Sequence, residues 1–492
     1  GDSTYTRNVY NGQYVAPVLR MKREERLDVM VSNQMKPVGT QQPQSQVDTT
    51  NQHYHGMIVT PLPDTGDNVT NVPIGQGRSN RNAFYVPDVQ SEGMMWYHPH
   101  PHGRTANQVA GGLAGALIIG EILDSFPDFA GAGGEHERVM YIKDTRDNTS
   151  TAYLNINGVP CTGFTIAPGE QQLWRIANMT GATWVNLRLG ERGRGYRFIV
   201  LALDGNHLTR PTPMDSLFLA PGQRAEAVII GGTGPWGKVA FYSSPFPTSF
   251  NRSNPTQVNL SARVDLGTLE VIGGVQPKAV PPRALSPLTI PENVALLDSI
   301  TRLRTATDVD TFTIHYQFFP GRKPFPFALN DSSYVPGRLD HAVAYGRTQE
   351  WTLINDTWFN HTFHIHQTDF VVTEINGVPQ PDSVHLDNVH LGIHQRPDGR
   401  WAGDTVKVRF RFLPIARGPF VYHCHDLAHE DLGMMANMCV FNPATGESEC
   451  DQWFDGGHGG HASMHGGHGA PGGHASVPAP PPAAPATGRK RE

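Results

Sequence analysis

Four short histidine clusters carry the chemistry of this chain: His53-Tyr54-His55-Gly56, His98-Pro99-His100, His361-Thr362-Phe363-His364-Ile365-His366, and His423-Cys424-His425 followed by His429 and Met434. Thiolate, imidazole and thioether together suit copper; two His and one Cys with a weak axial Met make an electron-transfer site. Cys424, His429 and Met434 supply three of those four ligands. His361, set apart from the His-x-His pair that follows it, is the candidate for the fourth. One Cys with a spaced Met is the wrong donor set for a structural zinc site. In a strand, neighbouring side chains point to opposite faces. If Cys424 points one way, His423 and His425 point the other and serve a second metal centre across a single stretch of backbone. His53/His55, His98/His100 and His364/His366 obey the same rule. With His423/His425 they make four pairs of imidazoles, enough to hold further copper ions.

These clusters need a frame of strands. The chain has 492 residues, roughly three domains at about 150 residues each. With 52 Gly and 40 Pro, it favours turns and short strands, and little helix is expected. A weak repeat runs through it. Asn11-Gly12, Asn157-Gly158 and Leu329-Asn330 each open a unit that reads as strand, turn, alternating strand and a closing Asn at Asn33, Asn178 or Asn355. Apolar and polar residues alternate with period two in those closing strands, so they are half-buried. The expected fold is all-β: three consecutive Greek-key β-sandwiches over 1–125, 135–278 and 292–454, joined near 124–135 and through the Pro-rich stretch 276–292. Residues 455–492 collapse to Gly, His, Ala and Pro and are expected to be disordered. Their histidines suit either a flexible metal collector or a solubilising tail.

The formal net charge is −6, so the basic surplus of a nucleic-acid protein is absent. The apolar run 109–119 is too short to span a bilayer. Gly1-Asp2-Ser3 lacks the features of a secretory leader, which reads as a mature, processed chain or a cytosolic one. Cys439 and Cys450 are spaced to close one short loop in an oxidising compartment; reduced thiols are the other reading. Cys161 is expected to be a small buried residue. His385, His390 and His394 read as an accessory metal site or as ordinary loop histidines.

The four clusters taken together resemble the copper-binding motifs of the multicopper oxidases, the family of laccases, bilirubin oxidases, cuprous oxidases and ascorbate oxidase. The resemblance covers roughly residues 1–445. The run His98-Pro99-His100-Pro101-His102-Gly103 through Gly111-Gly112-Leu113-Ala114-Gly115, with His429-Glu430-Asp431 to Met434, is most similar to bacterial laccases and cuprous oxidases. It implies cupredoxin-like domains and four copper ions per chain, one type 1, one type 2 and two type 3. His361, Cys424, His429 and Met434 would hold type 1, and His53 and His364 type 2. His55, His98 and His425 would hold one type 3 ion, and His100, His366 and His423 the other. Tyr54 stands where the family has Trp, and Thr362 where it has Pro; neither removes a ligand. His102 matches no family role and reads as lying behind the ligands or on the surface.

The resemblance further implies electron entry at His429, transfer through Cys424, and proton delivery by Asp64 and Glu430, with Asp67 a rival to Asp64. Phenols and aromatic amines are the expected reductants, because no Met occurs between Met214 and Met434. The alternative is a metallo-oxidase acting on Cu(I), Fe(II) or Mn(II), or a copper-sequestering protein in copper homeostasis. The implied partners are a small-molecule or metal-ion reductant and O2, with no nucleic acid and no membrane span. A monomer is the default, and a periplasmic or extracellular location fits a chain whose leader has been removed.

Overall fold

The computed structural model describes residues 8–35, 49–63, 66–69, 73–146, 152–191, 194–232, 237–272, 291–381, 384–446, 450 and 453–454. The tail from 455, including its histidines, and Asp64 lie outside the described residues.

The fold is all-β, and each sheet draws its strands from one of three successive stretches of chain. In the first, Leu19–Met21, Gly115–Ile119, Gly93–His98 and His53–His55 form one sheet, and Arg26–Ser32 pairs with Ser79–Tyr85. In the second, the strands between 137 and 271 form two large sheets around a core that includes Trp174, Phe198 and Phe241, with a separate ribbon of Pro247–Asn251 and Asn254–Leu260. In the third, a six-stranded sheet containing Val309–Phe318 and Thr348–Asn355 faces a five-stranded sheet containing His361–Ile365 and Gly418–Cys424. Trp351, Phe363, Phe410 and Tyr422 fill the space between them.

The repeat seen in sequence is a repeat of backbone. Asn11 and Gly12 (φ 50° and 75°), Asn157 and Gly158 (53° and 83°), and Asn330 and Asp331 (49° and 64°) all adopt left-handed conformations. Each pair is flanked by an antiparallel bridge: Tyr10–Gln13, Ile156–Val159 and Leu329–Ser332. Two successive residues with positive φ are what a type I′ turn requires, and Asn, Asp and Gly tolerate it best. After each turn the chain runs into a parallel pairing: Leu19 beside Leu117, Thr162 beside Gly267, and His341 beside Met438.

One element is not signalled by the sequence pattern: a 15-residue helix, Pro291–Thr305, precedes the strands of the third stretch. Ile300 and Leu303 pack on Val371, and Arg409 Nη1 donates to the carbonyls of Leu303, Arg304 and Ala306. Its apolar stripe is thin, and tertiary contacts of this kind hold it. Cys161 is exposed, not buried, because it follows the tight turn at Asn157-Gly158 where the chain faces solvent.

His341 tests the packing of the third stretch without touching the metal clusters. It stacks on Phe312 at 4.0 Å and lies 5.2 Å from Trp351. Burial pulls its pKa down to about 4, whereas an unfolded histidine titrates near 6.5. Between those values the unfolded chain binds more protons, so this contribution is present above pH ~6.5 and is lost as pH falls toward 4. His341→Phe is expected to flatten that part of the acid dependence in urea melts at neutral and mildly acid pH. An unchanged slope would contradict the packing account.

Candidate metal centre

Strand register places the ligand candidates. His361–Ile365 pairs with Gly418–Cys424, setting Phe363 opposite Cys424 and His364 opposite His423. His53–His55 pairs with Gly93–His98, setting His53 opposite His98 and His55 opposite Trp96. Alternation separates Cys424 from its neighbours. Its Sγ lies 3.5 Å from His361 Nδ1 and 3.7 Å from His429 Nδ1, while His423 faces His100 and His366.

The sulfur site is buried and apolar. Met434 is fully buried in the same cluster as Cys424, and its carbonyl accepts from Cys424 N. Thr357 Oγ1 lies 2.9 Å from His361 Nε2 and so turns Nδ1 toward the sulfur. Asp426 accepts from Ala428 N and His429 N at the start of the short helix Leu427–Asp431, which fixes the turn carrying His429. Burial pushes the Cys424 thiol well above its usual pKa. A thiolate persists there only beside a cation. The His429 side chain is 15% exposed and that of His361 is 0%. Phe327 stacks on the His429 ring at 4.1 Å, and Phe359 lies 5.5 Å away.

The other eight imidazoles form one buried cluster. His53 stacks on His366 at 4.0 Å and His55 on His364 at 3.8 Å. His423 Nε2 lies 3.1 Å from His100 Nε2 and 3.3 Å from His366 Nε2. His98, His55 and His425 meet with ring centroids 4.9–5.9 Å apart. The second nitrogen of several rings is tied down: His53 Nδ1 to Asp67 Oδ2 (2.7 Å), His98 Nδ1 to Pro99 O (2.9 Å), His364 Nδ1 to Asp387 O (2.8 Å) and His423 Nδ1 to Cys424 O (3.0 Å). This leaves His53 Nε2, His55 Nδ1, His98 Nε2, His364 Nε2 and both nitrogens of His425 buried without a partner. Burial, reinforced by neighbouring imidazoles, holds His53, His55, His100, His364, His366 and His425 well below the usual histidine pKa. Neutral imidazoles with converging, unsatisfied nitrogens are suited to ligating a metal, and the donor sets fit copper. Gly222 (φ 88°) borders this cluster: a Cβ there would lie 3.0 Å from the His425 ring.

Acids border the cluster. Glu430 is fully buried; its Oε1 accepts from Thr105 Oγ1 at 3.0 Å and lies 3.7 Å from His100 Nδ1. Burial, then the charge of Asp431, raises its pKa well above the usual value. Asp67 is buried too, and besides His53 it accepts from Tyr54 N (3.1 Å) and Gln367 Nε2 (3.3 Å). Asp387, with Arg224, was not legible in sequence, because its contacts bridge 163 and 332 residues.

The remaining histidines disperse. His102 packs on Tyr334 at 4.5 Å. His385 lies 3.4 Å from Ser299 Oγ, whereas His394 Nδ1 pairs with Asp404 at 2.9 Å. Cys439 and Cys450 are joined in a disulfide.

Three family profiles described as multicopper oxidase match residues 2–122, 96–233 and 302–444. The chain belongs to the multicopper oxidase family. It is therefore a copper oxidoreductase that takes electrons from a reductant and passes them to O2. It is 24% identical to "Multicopper oxidase mco" of Staphylococcus aureus over 88% of this chain and 83% of that protein. It is 23% identical to "Laccase" of Bacillus subtilis (strain 168) over 88% and 90%. A multicopper oxidase from Campylobacter jejuni described as a metallo-oxidase shares the fold, with a TM-score of 0.66, 24% identity and coverage of 88% and 86%. Among the described residues no helix is long and apolar enough to cross a membrane.

Met434 provides a test of the sulfur site. A thioether donor lowers the reduction potential relative to an aliphatic side chain in the axial position. Redox titration of Met434→Leu is expected to show a higher potential with the visible thiolate–copper band retained. An unchanged or lower potential would remove Met434 from the site.

Proposed function

We propose that this multicopper oxidase is laccase-like, oxidising phenols and aromatic amines one electron at a time and reducing O2 to water. The observation that carries the reading is the split at Cys424, whose sulfur faces His361 and His429 while the next residues along the backbone face the eight-imidazole cluster. His361, Cys424, His429 and Met434 would hold type 1 copper, and His53 and His364 type 2. His55, His98 and His425 would hold one type 3 ion, and His100, His366 and His423 the other. Copper so bound supplies one-electron transfer at the sulfur and four-electron reduction of O2 at the histidine cluster.

The chain's own residues do the rest. His429, the more exposed of the two imidazoles beside Cys424, meets the reductant, and Phe327 and Phe359 offer aromatic walls for a flat ring. Cys424 gives electrons a covalent route to His423 and His425. Glu430, whose burial favours the protonated form, lies beside His100 and would deliver a proton toward the cluster. Asp67, hydrogen-bonded to His53, supports a second proton position; Asp64 remains a candidate by sequence. The cystine supports an oxidising, periplasmic or extracellular location. Domains at 1–125, 135–278 and 292–454 and a monomeric state belong to the same proposal.

Oxygen uptake with a phenol, Cu(I), Fe(II) and Mn(II) tests the substrate. Phenol turnover is expected to exceed that of the metal ions; metal ions turned over in preference would make the chain a metallo-oxidase. Glu430→Gln is expected to slow O2 reduction roughly 100-fold, within the usual range for a lost general acid, with the visible band intact. A full rate would refute its role.

A further inference from the structure

Behind His55 lies a buried charged cluster that the reaction scheme above does not use. Arg224, which begins the strand Arg224–Ile230, is fully buried. Its Nη1 and Nη2 donate to Asp387 Oδ1 and Oδ2, each at 2.7 Å. Its remaining donors are also used: Nε to Met94 O (3.1 Å), Nη1 to Gly222 O (3.1 Å) and Nη2 to Asp204 O (3.0 Å). Asp204 in turn accepts from Arg224 N (3.0 Å) and Asn388 N (3.2 Å). The guanidinium is thus fixed by all three sheet-bearing stretches of the chain.

Asp387 faces two histidines of the oxygen site at once. Its main-chain oxygen accepts from His364 Nδ1 at 2.8 Å, and its side-chain Oδ1 lies 3.2 Å from His55 Nε2. The side-chain amide of Asn388 reaches the same nitrogen, at 2.9 Å. Asn388 Nδ2 also donates to Asp387 Oδ1, at 2.6 Å, so the amide nitrogen and His55 Nε2 face the same carboxylate oxygen. A carboxylate gripped by a two-pronged guanidinium offers its oxygens as strong acceptors, and Oδ1 faces the His55 ring. If His55 Nε2 donates to Asp387 Oδ1, the lone pair is left on Nδ1, the nitrogen that is buried without a partner.

We propose that the Arg224–Asp387 ion pair is a positioning device for copper ligation by His55 and His364, fixing the tautomer of the first and the ring orientation of both. The proposal rests on the reading of these histidines as copper ligands. A buried ion pair adds little net stability over an apolar pair of the same size, so stability alone is a weak reason for a buried arginine here. Gly56, the last residue of the first cluster, supports the assignment. At φ 86°, a Cβ on it would lie 2.5 Å from Arg224 Nη2 and 2.8 Å from Asp387 Oδ2. The glycine after His55 leaves room for the clamp.

Asp387→Asn tests this with nearly unchanged shape. In the full-length apo protein carrying isotope-labelled histidine, NMR is expected to show His55 protonated on Nε2 in the wild type and losing that preference in the variant. In copper titrations against a chelator, the variant is expected to bind the histidine-cluster copper roughly 10–100-fold more weakly, the usual effect of losing a carboxylate behind a ligating histidine. The thiolate–copper band should be unchanged. Unchanged tautomer and affinity would overturn the proposal. So would an equal loss of both copper signals, which marks a general stability element. If Asp387→Asn does not fold, Arg224→Lys, which keeps the cation but not the two-pronged contact, is read by the same criteria. Wild-type protein that binds no copper at the cluster would instead defeat the reading of the ligands, while the apo tautomer would still report on the clamp.

Discussion

The structure depends on a crowd of buried imidazoles held nitrogen to nitrogen. His423 Nε2 lies within 3.3 Å of both His100 Nε2 and His366 Nε2, and His53, His98, His364 and His425 keep ring nitrogens that nothing in the protein satisfies. A buried polar atom without a partner costs about 1–3 kcal/mol, and several occur together here. Protonation offers no relief, because each charge would meet low-dielectric surroundings and its neighbours. A cation resolves both problems by accepting the lone pairs. The rest of the fold can be read as the scaffold that keeps this arrangement from relaxing.

Strand pairing is the main part of that scaffold. Alternation along Gly418–Cys424 sends the sulfur and its neighbouring imidazoles to opposite sides, so one piece of backbone serves both centres. Short polar anchors then set individual rings: Thr357 behind His361, Asp67 behind His53, and the main-chain oxygens of Pro99 and Cys424 behind His98 and His423. Arg224 extends this from the second stretch of chain. The copper-bearing motifs lie in the first and third stretches, and the second contributes charge and the close-fitting Gly222.

Local chemistry was legible in the sequence because it is local. The i, i+2 spacing of the histidines, the Cys between two of them and the Asn-Gly turns are short-range patterns; only His53/His55 lies wholly within a strand, and the other three pairs straddle a strand end. What escaped notice is long-range or weakly patterned. Asp387 meets His55 across 332 residues, and no spacing rule connects them. Counting along a loop does not say which carboxylate turns inward; Asp67 does, against His53, while Asp64 lies outside the described residues. The helix Pro291–Thr305 follows a Pro-rich run and buries few side chains, so its signal was faint. Cysteine as a residue type favours burial, but the turn before Cys161 leaves it exposed.

The account's central claim is that one sulfur centre and one histidine centre are separate metal sites joined through Cys424. The most direct test is copper content, visible absorption and EPR on copper-loaded full-length protein and its Cys424→Ser variant. The account predicts that the variant loses the intense thiolate–copper band and about one copper ion per chain, the sulfur-bound ion, while the EPR signal of the histidine-bound copper remains. A wild type without that band, or a variant that loses all its copper together, would contradict it.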